Sequence, residues 1–206
     1  PMEIYLDNAA TTRPYEEVIG FQDGIMRECY GNPSSLHGKG FEAEKYMRYA
    51  QKTFADILKV EEKELVFTSG GTESNNMAII GCAEAAKRRG THILTTALEH
   101  PSVYNPVRFL GEHGFTADTV PADDKGRLDL EALERALTPD TVLVSVMGVN
   151  NEIGTVQPLA DIVKLVREKC PDAVIHVDGI QTFGKLPIQP KKLGIDAFSI
   201  SGHKFH

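Results

Sequence analysis

The sequence predicts an α/β domain: a largely parallel, mixed sheet flanked by helices on both faces. Two patterns point there. Several short runs are β-branched and apolar at consecutive positions, without strict alternation, as in strands covered on both sides. Most of them are separated by segments whose apolar residues recur at helical spacing, and alternation of the two kinds implies layers of helix around a sheet.

Taken along the chain, Ala43, Tyr46, Met47, Ala50, Phe54, Ile57 and Leu58 form the apolar stripe of a long helix. ELVFT at 64–68 reads as a strand, and Ser69-Gly70-Gly71-Thr72-Glu73-Ser74 follows it into a helix beginning at about Thr72. That helix closes on AAKRRG, with cations near its C-terminus and Gly90 just past its last turn. HILTT (92–96), TVLVSVM (141–147), AVIHVD (173–178) and DAFSIS (196–201) are the other strands. Ile162, Val163, Val166 and Cys170 mark a helix ahead of AVIHVD.

A chain of 206 residues can bury a substantial core, and 41% hydrophobic with 25% charged residues is ordinary for a globular protein. The net charge of −7 comes from 22 Lys and Arg against 29 Asp and Glu. That balance disfavours nucleic acid and anionic membrane as partners, since both need a basic face. Cys29, Cys82 and Cys170 are widely spaced, which suggests a reducing compartment, with cytoplasm the default. All three read as packing residues. No secretion signal or membrane-length apolar run is seen, and the seven histidines show no metal-ligand spacing.

Ligands of parallel sheets sit beyond the carboxyl ends of the strands, so the residues there are the candidates. Gly70, Gly71 and Thr72 could cradle an anion on unpaired helix N–H groups, or simply make a turn and cap; Ser69 and Ser74 add hydroxyls. His100 precedes a proline and is held extended, a local bonding residue or a catalytic one. Asn150 and Asn151 could be turn residues or polar contacts. Asp178 ends a very apolar strand and needs a donor, from a helix cap or from a protonated ligand ring. His176 reads as core. Lys204 emerges from a buried strand; it could be a snorkelling or salt-bridged lysine, or one whose packed stem and desolvated amine suit Schiff-base chemistry. Together these describe a phosphate, a protonated ring nitrogen and an aldehyde, the handles of pyridoxal 5′-phosphate.

The segments YLDNAATT, YGNPSSLHGKG, FTSGGTESNN, EHPSV, VNNEIGTVQP, HVDGIQTFGKLP and SGHKFH resemble cysteine desulfurases of the NifS/IscS type, among the fold-type I, class V pyridoxal-phosphate enzymes. The resemblance implies a large cofactor-binding domain at 16–206, C-terminally truncated and lacking the small domain, after an N-terminal arm at 1–15. It implies that Lys204 bonds the cofactor and shuttles a proton, and that Asp178 holds the ring nitrogen protonated. His100 would stack on the ring and Gln181 would bond the ring oxygen. Gly71, Thr72, Ser201 and His203 would hold the phosphate, with Asn151 beside the cofactor.

The implied reaction converts L-cysteine to alanine and an enzyme persulfide, passed to a scaffold or carrier protein by a homodimer for iron–sulfur cluster or thiocofactor synthesis. The persulfide cysteine and the carboxylate-binding arginine are expected on segments after Lys204, so the chain alone is expected to be inactive. Selenocysteine lyase, class V aminotransferase and a cofactor-binding module without turnover are the alternatives.

Overall fold

A computed structural model describes residues 4–206; the first three residues of the expected arm lie outside the described residues. Five strands form the sheet: β1 (His92–Thr96), β2 (Thr116–Val120), β3 (Thr141–Met147), β4 (Val174–Asp178) and β5 (Ala197–Ser199). Their order is β2-β1-β3-β4-β5, and every pairing is parallel. Growth of the sheet reverses beside β1, which places a crevice between the C-terminal ends of β1 and β3.

The helices are α1 (Glu16–Glu28), α2 (Gly38–Leu58), α3 (Gly71–Ala86), α4 (Pro101–Glu112), α5 (Leu130–Ala136), α6 (Leu159–Lys169) and the short α7 (Pro190–Leu193). On one face of the sheet, Val144, Val146, Ile175 and Val177 pack with Leu133 of α5 and Ile162, Val163 and Val166 of α6. On the other face, Ile93 and Leu143 meet Ile79 and Ala83 of α3 and Val103 and Leu110 of α4. Burial on both faces explains why the central strands read as unbroken apolar runs.

Four local readings need correction. ELVFT is not a strand: Val66 is 68% exposed and Phe67 49% exposed. A β-rich run becomes a strand only where a neighbour completes its ladder, and among the described residues none does. Conversely, β2 was not expected, because this edge strand is TADTV, with one buried residue and no apolar run. The α2 stripe is helical as predicted, but Tyr46, Met47 and Ile57 are exposed, while Ala43, Ala55 and Leu58 are buried. Finally, α3 ends at Ala86, and Gly90 is not among the residues with positive φ. Gly90 is required for close approach instead, since a Cβ there would lie 2.3 Å from the Asp140 carbonyl oxygen.

Helix α4 shows how the chain handles an internal proline. Pro106 lacks the N–H that would reach the Ser102 carbonyl, and Asn76 Nδ2 of α3 donates to that oxygen at 3.4 Å. The substitution ties the start of α4 to α3, directly behind the sheet's C-terminal edge.

Candidate active site

A cavity of about 440 Å³ opens at that edge, lined by Gly71, Thr72, His100, Asn151, Asp178, Gln181, Ser201, His203 and Lys204. All nine residues singled out from the sequence therefore meet at one place. Asp7, Ala9, Ala10 and Ser102 also line it and carried no role in the sequence reading.

The start of α3 forms one wall. Gly70 is extended and contributes no side-chain cap, so the first N–H groups of a sixteen-residue helix face the cavity end without intrahelical partners. Gly71 allows close packing there, because a Cβ would fall 2.3 Å from Ile180 Cδ1. The loop before it is braced from within: Thr68 Oγ1 and Ser74 Oγ lie 2.7 Å apart, and the Ser69 N–H donates to Glu73 Oε2 at 2.6 Å. Ser74 thus supports the loop, and neither it nor Ser69 lines the cavity.

Asp178 ends β4 and is 5% exposed. Burial pushes its carboxyl pKa up, against the downward pull of the Ile180 N–H, the Asn75 amide and the charges of His100 and Lys204. The Ile180 N–H donates to Oδ1 at 3.0 Å and Asn75 Nδ2 donates to Oδ2 at 2.8 Å. Asn75 is fully buried and its Nδ2 also donates to Ser102 Oγ at 2.9 Å. Ser102 Oγ lies 2.8 Å from His100 Nδ1, which also accepts the Ser102 N–H at 3.1 Å. His100 has the extended backbone expected before a proline and caps α4. Below Asp178 on the same strand face, His176 bridges Ser145 Oγ at 2.8 Å and Ser199 Oγ at 3.0 Å. Complete burial lowers its pKa to about 4, so it is a neutral core residue, as read from the sequence.

Lys204 departs from its expected setting. It lies in a 3-10 turn after β5, half-buried, and Nζ donates to the carbonyls of Ala9 at 2.6 Å and Ala10 at 2.7 Å. Gln181 Nε2 donates to the same Ala9 oxygen at 2.8 Å, and Gln181 Oε1 accepts from Lys185 Nζ at 2.6 Å. The N-terminal segment is pinned further by the Thr12 N–H, which donates to the His203 carbonyl at 2.8 Å. Partial burial and the Lys204 charge lower the pKa of His203. The same two causes lower that of Lys185.

The adjacent amides divide their tasks. Asn150 Oδ1 accepts from the Glu152 and Ile153 N–H groups at 2.9 Å each, an Asx turn that leaves Asn151 to face the cavity. Cys29, Cys82 and Cys170 are free thiols, and none lines the cavity. Burial raises the pKa of Cys82 and Cys170, the opposite of an activated thiol.

A family model for class-V aminotransferases matches residues 4–206. The chain belongs to the class-V aminotransferase family. Among its class-V relatives is the cysteine desulfurase IscS of Dictyoglomus turgidum, 43% identical over 204 residues that cover 99% of this chain and 51% of the relative. The solved structure of a NifS-like protein superposes with a TM-score of 0.96 at 42% identity, over 100% of this chain and 56% of that one. A structure titled SspA in complex with cysteine superposes at 0.91 with 36% identity, over 97% of this chain and 57% of that one. The chain spans about half the length of the curated relatives it matches. No helix among the described residues is long and apolar enough to cross a membrane.

Proposed function

We propose that this class-V chain is the cofactor-binding portion of a cysteine desulfurase that uses pyridoxal 5′-phosphate. The observation that carries the reading is convergence on one cavity of an amine (Lys204), a buried carboxylate (Asp178) and the open start of α3. These match the aldehyde, ring nitrogen and phosphate of that cofactor. The desulfurase relatives, and the cysteine complex of the SspA structure, favour L-cysteine over the substrates of other class-V enzymes.

Bound pyridoxal phosphate supplies an electron sink for carbanion chemistry at the substrate α-carbon. Lys204 would hold the aldehyde end of the cofactor and would carry the substrate α-proton on its amine. Asp178, which accepts from the Ile180 N–H and the Asn75 amide, would as a carboxylate hold a proton on the ring nitrogen. Gly71, Thr72, Ser201 and His203 would take the phosphate, Gln181 the ring oxygen, and His100 and Asn151 the remaining cofactor and substrate faces. The thiol that accepts sulfur is assigned to the part of the protein that this chain does not span, because its own three cysteines stand away from the cavity. Alanine is the second product, and a scaffold or carrier protein receives the persulfide sulfur from a homodimer.

Borohydride reduction of the chain with pyridoxal phosphate, followed by peptide mapping, tests the binding half of this reading. A reduced adduct on Lys204, absent in Lys204→Ala, is expected; labelling elsewhere or nowhere would overturn it. For the complete protein, release of alanine from L-cysteine with formation of a protein persulfide is expected. Alanine without persulfide, or turnover of selenocysteine alone, would replace desulfuration by one of the neighbouring chemistries.

A further inference from the structure

His100 is bonded on one ring nitrogen only. Its Nδ1 meets both the hydroxyl and the N–H of Ser102, whereas Nε2 makes no hydrogen bond among the described residues of a side chain that lines the cavity. The proton on a neutral imidazole is placed by the partners of its nitrogens, so the direction of each bond around Ser102 decides what the ring presents.

Those directions follow from the donors. Asn75 Nδ2 has two hydrogens and no lone pair available to accept. One goes to Asp178 Oδ2 at 2.8 Å and the other to Ser102 Oγ at 2.9 Å. Ser102 Oγ is thereby an acceptor from Asn75, and the acceptor left for its own hydrogen is His100 Nδ1 at 2.8 Å. The Ser102 N–H, which cannot rotate away, points at the same nitrogen from 3.1 Å. A proton on Nδ1 would face two donor hydrogens.

The amide cannot be turned over without loss. Among the described residues, Asn75 Oδ1 is buried without a partner. An unpartnered buried acceptor is costly, and turning the amide over would relieve nothing, because Oδ1 would then confront the Asp178 carboxylate. The carboxyl at the end of β4, accepting from Asn75 Nδ2, therefore sets the amide, the amide sets the hydroxyl, and the hydroxyl sets the ring.

The geometry points to Asn75 and Ser102 as positioning residues that hold the His100 proton on Nε2, so that His100 meets the cavity's occupant as a hydrogen-bond and proton donor. Asp178 anchors the far end of this relay. The identity of the occupant rests on the function proposed above, but the relay is a property of the chain alone and is tested without the cofactor.

The test is two-bond proton–nitrogen NMR of the chain labelled with ¹⁵N-histidine, at a pH where the imidazoles are neutral. His100→Gln identifies the His100 signals. In the unmodified chain the Nε2–H form is expected to dominate, and a dominant Nδ1–H form would overturn the proposal. Ser102→Ala removes one neutral hydrogen bond of about 1 kcal/mol, so the Nε2–H to Nδ1–H ratio is expected to fall roughly five- to tenfold. Ser102→Thr keeps the hydroxyl and is expected to retain the original ratio, while Asn75→Ala, which frees the hydroxyl to turn, lowers it. An unchanged ratio in Ser102→Ala, or one lowered equally in Ser102→Thr, would refute the role of the hydroxyl. Should Asn75→Ala fail to fold, the serine pair still decides. Failure of Lys204 to trap pyridoxal phosphate with the His100 result intact would overturn the cofactor reading and leave the relay standing.

Discussion

Glu99, next to His100 in sequence, offers a test of how burial acts on charge in this fold. Its Oε1 accepts from the Thr96 hydroxyl and the Met147 N–H, both at 2.8 Å, while Oε2 is buried without a partner among the described residues. Burial raises its pKa from an ordinary 4.5 to about 8; the two hydrogen bonds act downward and the Asp178 charge upward. The folded protein thus holds a proton that the unfolded chain gives up. Below 4.5 both states are protonated and the group adds nothing to the pH dependence of stability. As the pH rises from 4.5 to about 8 the unfolded chain binds fewer protons than the folded one, so stability falls through that window and levels off above it. At about 1.4 kcal/mol per pH unit the loss is on the order of 5 kcal/mol. Glu99→Gln keeps a carbonyl for Thr96 and Met147 and cannot titrate. Urea unfolding of both proteins across the range should show the wild type losing ground to the variant by that amount between mildly acidic and mildly alkaline conditions. Two stability curves that stay parallel within about 1 kcal/mol would refute the burial argument.

Asp178→Asn should weaken retention of pyridoxal phosphate roughly ten- to hundredfold in equilibrium dialysis, the value of a charge-assisted hydrogen bond of about 1.5–3 kcal/mol; unchanged retention would remove Asp178 from the site. Ile79 is fully buried between α3 and the sheet, and Ile79→Ala should destabilise the chain by about 2–5 kcal/mol in denaturant unfolding. A Cβ at Gly179 would fall 2.1 Å from the Phe198 ring, so Gly179→Ala should cost about 1–3 kcal/mol in the same assay. His176, with its pKa lowered to about 4 by burial, should show no NMR titration near 6.5. Because the unfolded chain takes up a proton between 6.5 and about 4 that the folded chain refuses, His176 makes stability decline as acid is added across that window.

What was legible in the sequence follows a physical division. The central strands β1, β3 and β4 are apolar on both faces, and that signal belongs to each segment by itself. β2 and the segment at 64–68 were misread for one reason: pairing belongs to two segments, so a polar edge can pair while an apolar run stays unpaired. At the site, the residues directly after strands could be found because a parallel sheet puts all its strand ends on one side. Asn75 and Ser102 could not. They act on Asp178 and His100 from a helix interior and a helix first turn, and no spacing in the sequence marks a hydrogen bond spanning 103 residues. The only available signals were a buried polar position at Asn75 and a hydroxyl two residues after His100.

By itself, then, the order of residues determined the alternation of helix and strand and the side of the sheet on which chemistry would gather, while the full set of side chains there came from the family resemblance. The first two depend on local pattern and on the handedness and parallel pairing common to such sheets. Tertiary structure alone decided that Lys204 is held by the carbonyls of Ala9 and Ala10, that Asn150 is spent on an Asx turn, and which nitrogen of His100 is left free. Each of those is a contact between groups whose separation the chain does not encode locally, and direction in a hydrogen bond exists only once both partners are in place.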